Sequence, residues 1–268
     1  MSGFPEEHVV IVTGASVGIG RELALQLAEQ GAWLTLAARD VDALQNVAED
    51  CRKRGGKVLV VPTDVTDRRQ VENMVAETVK TYGRINTLIN NAGISMWTLF
   101  EDLEDLDIFE EIMRVNYLGS VYCTHYALPY LKKTSGRLVA VSSLAGKTGV
   151  PTRSGYGASK HAMVGFFDSL RIELAEDGVS VTILYPDFVS TEIRKRAFAG
   201  DGQPLGKDPV SVENAMKPEE CARLMIPALA TRKRELVMSL RGRVGQWIKL
   251  IAPGLVDKIA RNAIDKRR

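Results

Sequence analysis

The chain has 268 residues, of which 45% are hydrophobic and 25% charged, and its net charge is +2. That length buries a sizeable core and lies near the upper end of one α/β domain, while the balanced charge gives no sign of a nucleic-acid or strongly acidic partner. Three scattered cysteines, Cys51, Cys123 and Cys221, form no CxxC pair, which argues against a thiol-held metal or dithiol exchange and suits a reducing compartment.

The N-terminal stretch MSGFPEEHVV carries two acids before its apolar run and lacks the basic start of a secretory signal. Nowhere do about 18 uninterrupted apolar residues occur, so the expectation is a soluble, cytoplasmic protein. Short apolar runs rich in β-branched residues predict strands at 8–13, 33–38, 57–62, 87–90, 137–142, 179–185 and 234–238. Their nearly continuous apolar character marks strands buried on both faces. Helical spacing predicts helices at 20–30, 41–54, 68–82, 106–132, 155–176 and 218–230, so the expected architecture is a doubly wound parallel seven-stranded sheet in one domain.

The first strand runs directly into TGASVGIG, residues 13–20, and then into a helix. Gly14 suits a tight turn, Gly18 lets the backbone approach a pyrophosphate, and Gly20 lets the helix pack close to the strand. Free N–H groups and the positive dipole end of that helix would face the anion, so Ser16 and Ile19 join the glycines as candidate cofactor ligands. The second strand ends in Ala37-Ala38-Arg39, where an acid would select a ribose hydroxyl and a guanidinium grips a 2′-phosphate. This favours NADP (NADPH) over NAD, with Asp40 read either as a helix cap or as a hydroxyl ligand.

The segment VSSLAGKTGVPTRSGYGASK joins the fifth strand to a helix and carries Ser143, Tyr156 and Lys160. Tyr156 and Lys160, four apart, share a helix face, where an ammonium favours phenolate over phenol. A free tyrosine, with a pKa of about 10, is a poor base at neutral pH, so a nearby cation is what proton transfer requires. Ser143, with Ser142 as its rival, would hydrogen-bond the substrate oxygen.

Together, TGASVGIG, NNAG at 90–93, Asn116 in MRVNYLG, Ser143 and YGASK resemble the short-chain dehydrogenase/reductase family, in its small single-domain branch. The resemblance runs from about residue 8 to 191 and implies a Rossmann fold and hydride transfer between a nicotinamide and a carbonyl or alcohol. It implies that Tyr156 is the general acid or base, that Lys160 binds ribose and lowers the tyrosine pKa, and that Ser143 orients the carbonyl. Asn116 would hold a water that links Lys160 to solvent. Asp64 and Val65 would contact adenine, and Asn90, Asn91, Ala92 and Gly93 would line the cofactor floor. After the sixth strand the family shows Pro-Gly, whereas here Pro186 precedes Asp187; Val189 and Thr191 keep the family pattern, and the nicotinamide contact is expected to survive. Aspartate tolerates glycine's dihedrals well, but its carboxylate brings a charge to the mouth of the substrate pocket.

The Gly- and Pro-rich stretch 190–217 is expected to cover the site. Trp97, Phe100, Phe188 and Phe198 suggest an apolar or lipid-like substrate. From Thr231 to Arg268 there are 11 Lys and Arg against 3 Asp and Glu, so the tail is basic while the rest is net acidic. Val244, Trp247, Ile248 and Ile251, then Leu255, Ile259, Ala263 and Ile264, make residues 241–268 an amphipathic extension of a catalytic domain at 1–240. This ending resembles those of microsomal hydroxysteroid dehydrogenases, where the region serves subunit contact or a membrane surface. The same pattern equally suits a helix packed on its own domain, so the tail is open to a membrane surface, another subunit or its own domain, while the family resemblance implies a homodimer or homotetramer. Two alternatives stand beside the enzyme: a non-catalytic NADP-binding regulator or scaffold, which loss of the tyrosine or lysine would have favoured, and a membrane-surface reductase.

Overall fold

The computed structural model describes residues 4, 6–208 and 215–265. Residues 1–3 and 5 of the N-terminal stretch, the 209–214 part of the covering loop and the last three residues of the tail lie outside the described residues. Seven strands, β1 (Val9–Thr13), β2 (Trp33–Ala38), β3 (Lys57–Pro62), β4 (Thr87–Asn90), β5 (Arg137–Val141), β6 (Ser180–Tyr185) and β7 (Glu235–Val237), each fall within a residue of the expected bounds. They pair in parallel throughout, in the order β3-β2-β1-β4-β5-β6-β7.

Helices cover both faces because successive strand residues point to opposite sides. On β1, Val10 and Val12 join one core with Leu23 and Leu27 of α1 (Gly18–Ala28), Val47 of α2 (Val41–Lys53) and Met225 of α7 (Pro218–Ala230). Ile11 joins the other core, with Met74 of α3 (Arg68–Tyr82), Leu131 of α5 (Gly119–Lys133) and Phe167 of α6 (Ser154–Glu173). Each such aliphatic side chain stabilises the fold by roughly 1.5–3 kcal/mol on burial. The three cysteines sit in these cores, where burial pushes every thiol up to about 12 and leaves it inert.

The helix expected at 106–132 is present as one run but is not uniformly α. It consists of α4 (Asp107–Met113), a widened turn at Arg114–Leu118 and then α5. In that turn the Gly119 N–H bonds the Arg114 carbonyl five residues back, the signature of a π bulge. Two contacts explain it: Asn116 is drawn to the backbone of Ile94, and Gly119 presses on Val65, where a Cβ would come within 2.7 Å. The strand order reverses between β1 and β4, which opens a crevice at the carboxyl ends of the strands. After β7, Ser239 caps α8 (Leu240–Ile251) through the Gly242 N–H, and α9 (Pro253–Asp265) follows the break at Pro253.

Candidate active site

The crevice is a cleft of about 670 Å³. Its floor begins at the glycine turn. Gly14 has φ +64, a left-handed conformation, and a Cβ there would meet the Ala92 backbone at 2.8 Å. Gly20 is tighter still: a Cβ would lie 2.3 Å from the Gly14 carbonyl oxygen, so α1 starts hard against the turn. Thr13 ties the turn to the next strand, accepting at Oγ1 from the Asn91 and Ala92 N–H groups while donating to the Ile89 carbonyl. Asn91 returns two bonds to the Thr13 and Gly14 carbonyls. Val17 gives α1 no side-chain cap, so the first helical N–H groups face the cleft beside Ser16, Gly18 and Ile19. This cradle fits the pyrophosphate of a dinucleotide, since side chains are kept out of it and backbone donors point into it.

At the tip of β2, Arg39 is exposed on the cleft, while Asp40 caps α2 by accepting from the Ala43 N–H at 3.0 Å. Asp64 holds Thr66 through both its N–H and its hydroxyl, and with Val65 lines the same end. Ala92, Gly93, Pro186, Val189 and Thr191 also line the cleft, with Thr191 lying against Gly18 of the turn. Asn90 differs from the expectation. Its side chain is buried away from the cleft wall and donates to Thr124 on α5 at 3.3 Å, because alternation along β4 turns it into the helix layer. Gly20 and Asn116 likewise stand behind the wall. Asn116 accepts from the Ile94 N–H at 2.8 Å and donates to the Ile94 carbonyl and to Ser159.

Tyr156 and Lys160 lie on the first turns of α6, both buried and both lining the cleft. The Lys160 Nζ donates to the Val141 carbonyl at 2.9 Å and lies 5.7 Å from the Tyr156 ring centroid. Burial lowers this amine to about 8. Burial also pushes the phenol of Tyr156 above its usual value, whereas the Arg153 guanidinium and a hydrogen bond with Ser143 pull it back. Besides Lys160, the Arg153 guanidinium is a second cation at the phenol, 5.6 Å from its ring and stacked at 4.4 Å on Trp97. The sequence reading missed it, although three-residue spacing from Tyr156 was the available signal. Ser142 donates to the Lys160 carbonyl, which leaves Ser143 as the hydroxyl beside the phenol.

Of the four aromatics expected at the substrate end, Phe188 and Phe198 line the cleft. Trp97 packs under Arg153, and Phe100 is solvent-exposed, edge-on to Phe109. Asp187 does not adopt a positive φ, so the position needs no glycine, and its carboxylate is bound by Arg241. Among the described residues no cluster of His, Cys, Asp or Glu could hold a metal, and no helix is long and apolar enough to cross a membrane.

Fold and cleft place the protein among the doubly wound α/β oxidoreductases. Its sequence matches the short chain dehydrogenase family over residues 8–202, and the chain belongs to that family. It is similar to "11-beta-hydroxysteroid dehydrogenase-like 4A" of Arabidopsis thaliana, with 41% identity over 95% of this chain and 84% of the relative. It is also similar to "Dehydrogenase/reductase SDR family protein 7-like" of Dictyostelium discoideum, at 35% identity over 97% and 84%. Among solved structures it resembles a short chain dehydrogenase/reductase from Burkholderia phymatum in complex with NAD, with TM-score 0.84 and 25% identity over 95% of this chain and 96% of that one. An alcohol dehydrogenase from Thermococcus sibiricus complexed with 5-hydroxy-NADP gives TM-score 0.74 and 28% identity over 85% and 94%.

Proposed function

We propose that this protein is an NADP-dependent reductase or dehydrogenase that acts on a carbonyl or alcohol carried by an apolar, lipid-like molecule. The observation that carries the reading is the opening of Ser143, Tyr156 and Lys160 onto the same cleft as the glycine cradle and Arg39. NADP is favoured because Arg39 stands at the ribose end while Asp40, the acid that could select a hydroxyl, is engaged as a helix cap.

The turn at Gly14, Ser16, Gly18 and Ile19 would hold the pyrophosphate, Arg39 the 2′-phosphate, and Asp64 with Val65 the adenine. Asn91, Ala92 and Gly93, backed by Asn90, would form the floor, with Pro186, Val189 and Thr191 at the nicotinamide. The bound nicotinamide would supply the hydride for reduction, or accept it in oxidation. In reduction the Tyr156 hydroxyl gives its proton to the carbonyl oxygen as hydride reaches the carbon, and Ser143 donates a hydrogen bond to the same oxygen. Arg153 stabilises the phenolate that remains, and Lys160, with a pKa of about 8, is a proton exchanger near neutral pH. Asn116 fixes the Ile94 backbone beside Gly93 and so shapes the wall next to Lys160.

Phe188, Phe198 and Pro204 give the substrate end an apolar lining, and the names of the plant relatives put hydroxysteroids and their ketones at the head of a test panel. Purified protein is mixed with NADPH and a series of ketones and aldehydes, or with NADP and the matching alcohols, and absorbance at the nicotinamide band is followed. Turnover with the phosphorylated cofactor supports the reading. Cofactor binding without turnover across the panel would favour a regulator or scaffold instead.

A second reading concerns where the enzyme works. Leu240, Trp247, Leu250, Ile251, Leu255 and Ile259 are exposed on α8 and α9, among the basic residues of the tail. Such a surface suits a cytoplasmic enzyme held at an anionic membrane face, or one paired with further copies as a dimer or tetramer. Co-sedimentation with phosphatidylserine vesicles, together with the mass in solution, separates these outcomes.

A further inference from the structure

The family match ends at residue 202, yet the first turn of α8 lies against two loops that carry the candidate chemistry. Arg241 meets Asp187 with both prongs of its guanidinium, Nε to Oδ2 at 2.5 Å and Nη2 to Oδ1 at 2.6 Å. This fork is the geometry in which an arginine–carboxylate pair is strongest and most directional. The partners are unequally placed: the Asp187 side chain is 9% exposed and that of Arg241 65%. Arg241 also covers the Phe188 ring at 5.2 Å, and Asp187 Oδ1 accepts from the Phe188 N–H at 2.9 Å. One residue on, Gly242 packs so closely that a Cβ would lie 2.7 Å from Leu144, the neighbour of Ser143. The Leu144 N–H in turn bonds the Pro186 carbonyl at 3.0 Å. Lys249, two turns along α8, donates to the Lys147 carbonyl at 2.7 Å.

From these contacts we infer that Arg241 is a positioning residue for the part of the cleft where nicotinamide and substrate would meet: it neutralises the Asp187 carboxylate in the cleft wall and holds the Asp187–Phe188 turn against α8. The inference rests on the reading that the cleft takes a nicotinamide dinucleotide. An acid that lines the cleft at low exposure repels an anionic dinucleotide unless a cation is held on it, and Arg241 supplies that cation from outside the family-matched segment. The pair therefore admits an aspartate next to Pro186, and it makes the beginning of α8 part of the binding apparatus.

The test is NADPH binding by calorimetry, in the absence of substrate, to wild type, R241Q, R241K, D187N and the double variant D187N/R241Q. R241Q strands the carboxylate and is expected to weaken binding about tenfold at low salt and less at 0.5 M salt, where screening shortens the repulsion. R241K keeps the cation without the fork and should stay within about threefold of wild type. D187N should also stay within about threefold, because an exposed arginine without a partner turns to water. The double variant removes the stranded charge and should recover most of the affinity lost in R241Q. In hydrogen exchange, the amides of residues 187–191 should exchange faster in R241Q than in wild type. An R241Q affinity within about twofold of wild type, or a double variant as weak as R241Q, would overturn the inference. Should R241Q not fold, R241K decides instead, since an R241K affinity tenfold below wild type at all salts would overturn the inference equally. If wild type itself binds neither NADPH nor NADH, it is the proposed function that fails, a result distinct from any pattern among the variants.

Discussion

Replacing Lys160 with methionine should make the protein more stable while it stops turnover. Lys160 is 3% exposed, and burial lowers its amine from 10.5 to about 8. At roughly 1.4 kcal/mol per pH unit, that fall corresponds to about 3 kcal/mol of destabilisation whenever the lysine must be charged in both states. The sign follows from the proton count. Below pH 8 folded and unfolded chains both hold the proton and the penalty is full; between pH 8 and 10.5 the unfolded chain holds a proton that the folded one has released, so stability rises with pH. Lys160→Met removes the penalty and also loses the hydrogen bond to the Val141 carbonyl, worth about 1–2 kcal/mol. A net gain of about 1–2 kcal/mol at pH 7 remains, which for a chain of this size is about 2–4 °C in the thermal midpoint. Urea titrations of wild type and variant without cofactor at pH 7, 9 and 10.5 measure it. Burial holds Tyr82, Cys123 and Tyr185 protonated across this range in the folded chain while their unfolded forms ionise within it, but they are common to both proteins and cancel in the difference. A variant no more stable than wild type at pH 7, or an advantage that does not shrink by pH 10.5, would show that the buried ammonium carries no such penalty.

Arg39→Ala should weaken NADPH binding at least tenfold and NADH binding less than threefold, and equal losses by calorimetry would remove the 2′-phosphate contact. Gly20→Ala places a Cβ 2.3 Å from the Gly14 carbonyl oxygen and 2.5 Å from the Asn91 side-chain nitrogen, and should cost about 2–3 kcal/mol in urea melts and lower affinity for NADPH and NADH alike. Gly149→Ala, where no atom lies within 4 Å, is the neutral control. His8 is buried against Thr87 and Arg137, and its pKa is lowered from 6.5 to about 4 by burial and then by Arg137. Its contribution is intact above pH 6.5 and lost as pH falls toward 4, so His8→Gln should remove up to about 3 kcal/mol of the acid-induced loss of stability over that window.

The strands were legible because a parallel sheet covered on both faces leaves unbroken apolar runs, as in VVIVT of β1, with turn residues at each end. The cradle and the Tyr156–Lys160 pair were legible because they depend on close sequence spacing around one turn and one helix. What lay hidden depends on contacts between distant segments. The π bulge at Arg114–Leu118 adds one residue to a helical repeat that otherwise continues, and it exists because Asn116 and Gly119 meet Ile94 and Val65. Arg153 reads as an ordinary charge until Trp97, 56 positions earlier, is placed beneath it. The side of β4 that Asn90 takes follows from register, and the partner of Asp187 is 54 residues away on a helix that carries no family motif.

In the proposed mechanism the Tyr156 hydroxyl delivers a proton where hydride reaches a carbonyl carbon. The most direct test is NADPH deuterated at the transferable position of the nicotinamide, incubated with an accepted ketone and either wild type or Tyr156→Phe, with deuterium located in the product by NMR. Deuterium on the carbinol carbon is expected with wild type, and at least a thousandfold slower label transfer by Tyr156→Phe at unchanged NADPH affinity. Label transfer at a rate close to wild type by the phenylalanine variant, or product formed by wild type without label on that carbon, would contradict that mechanism.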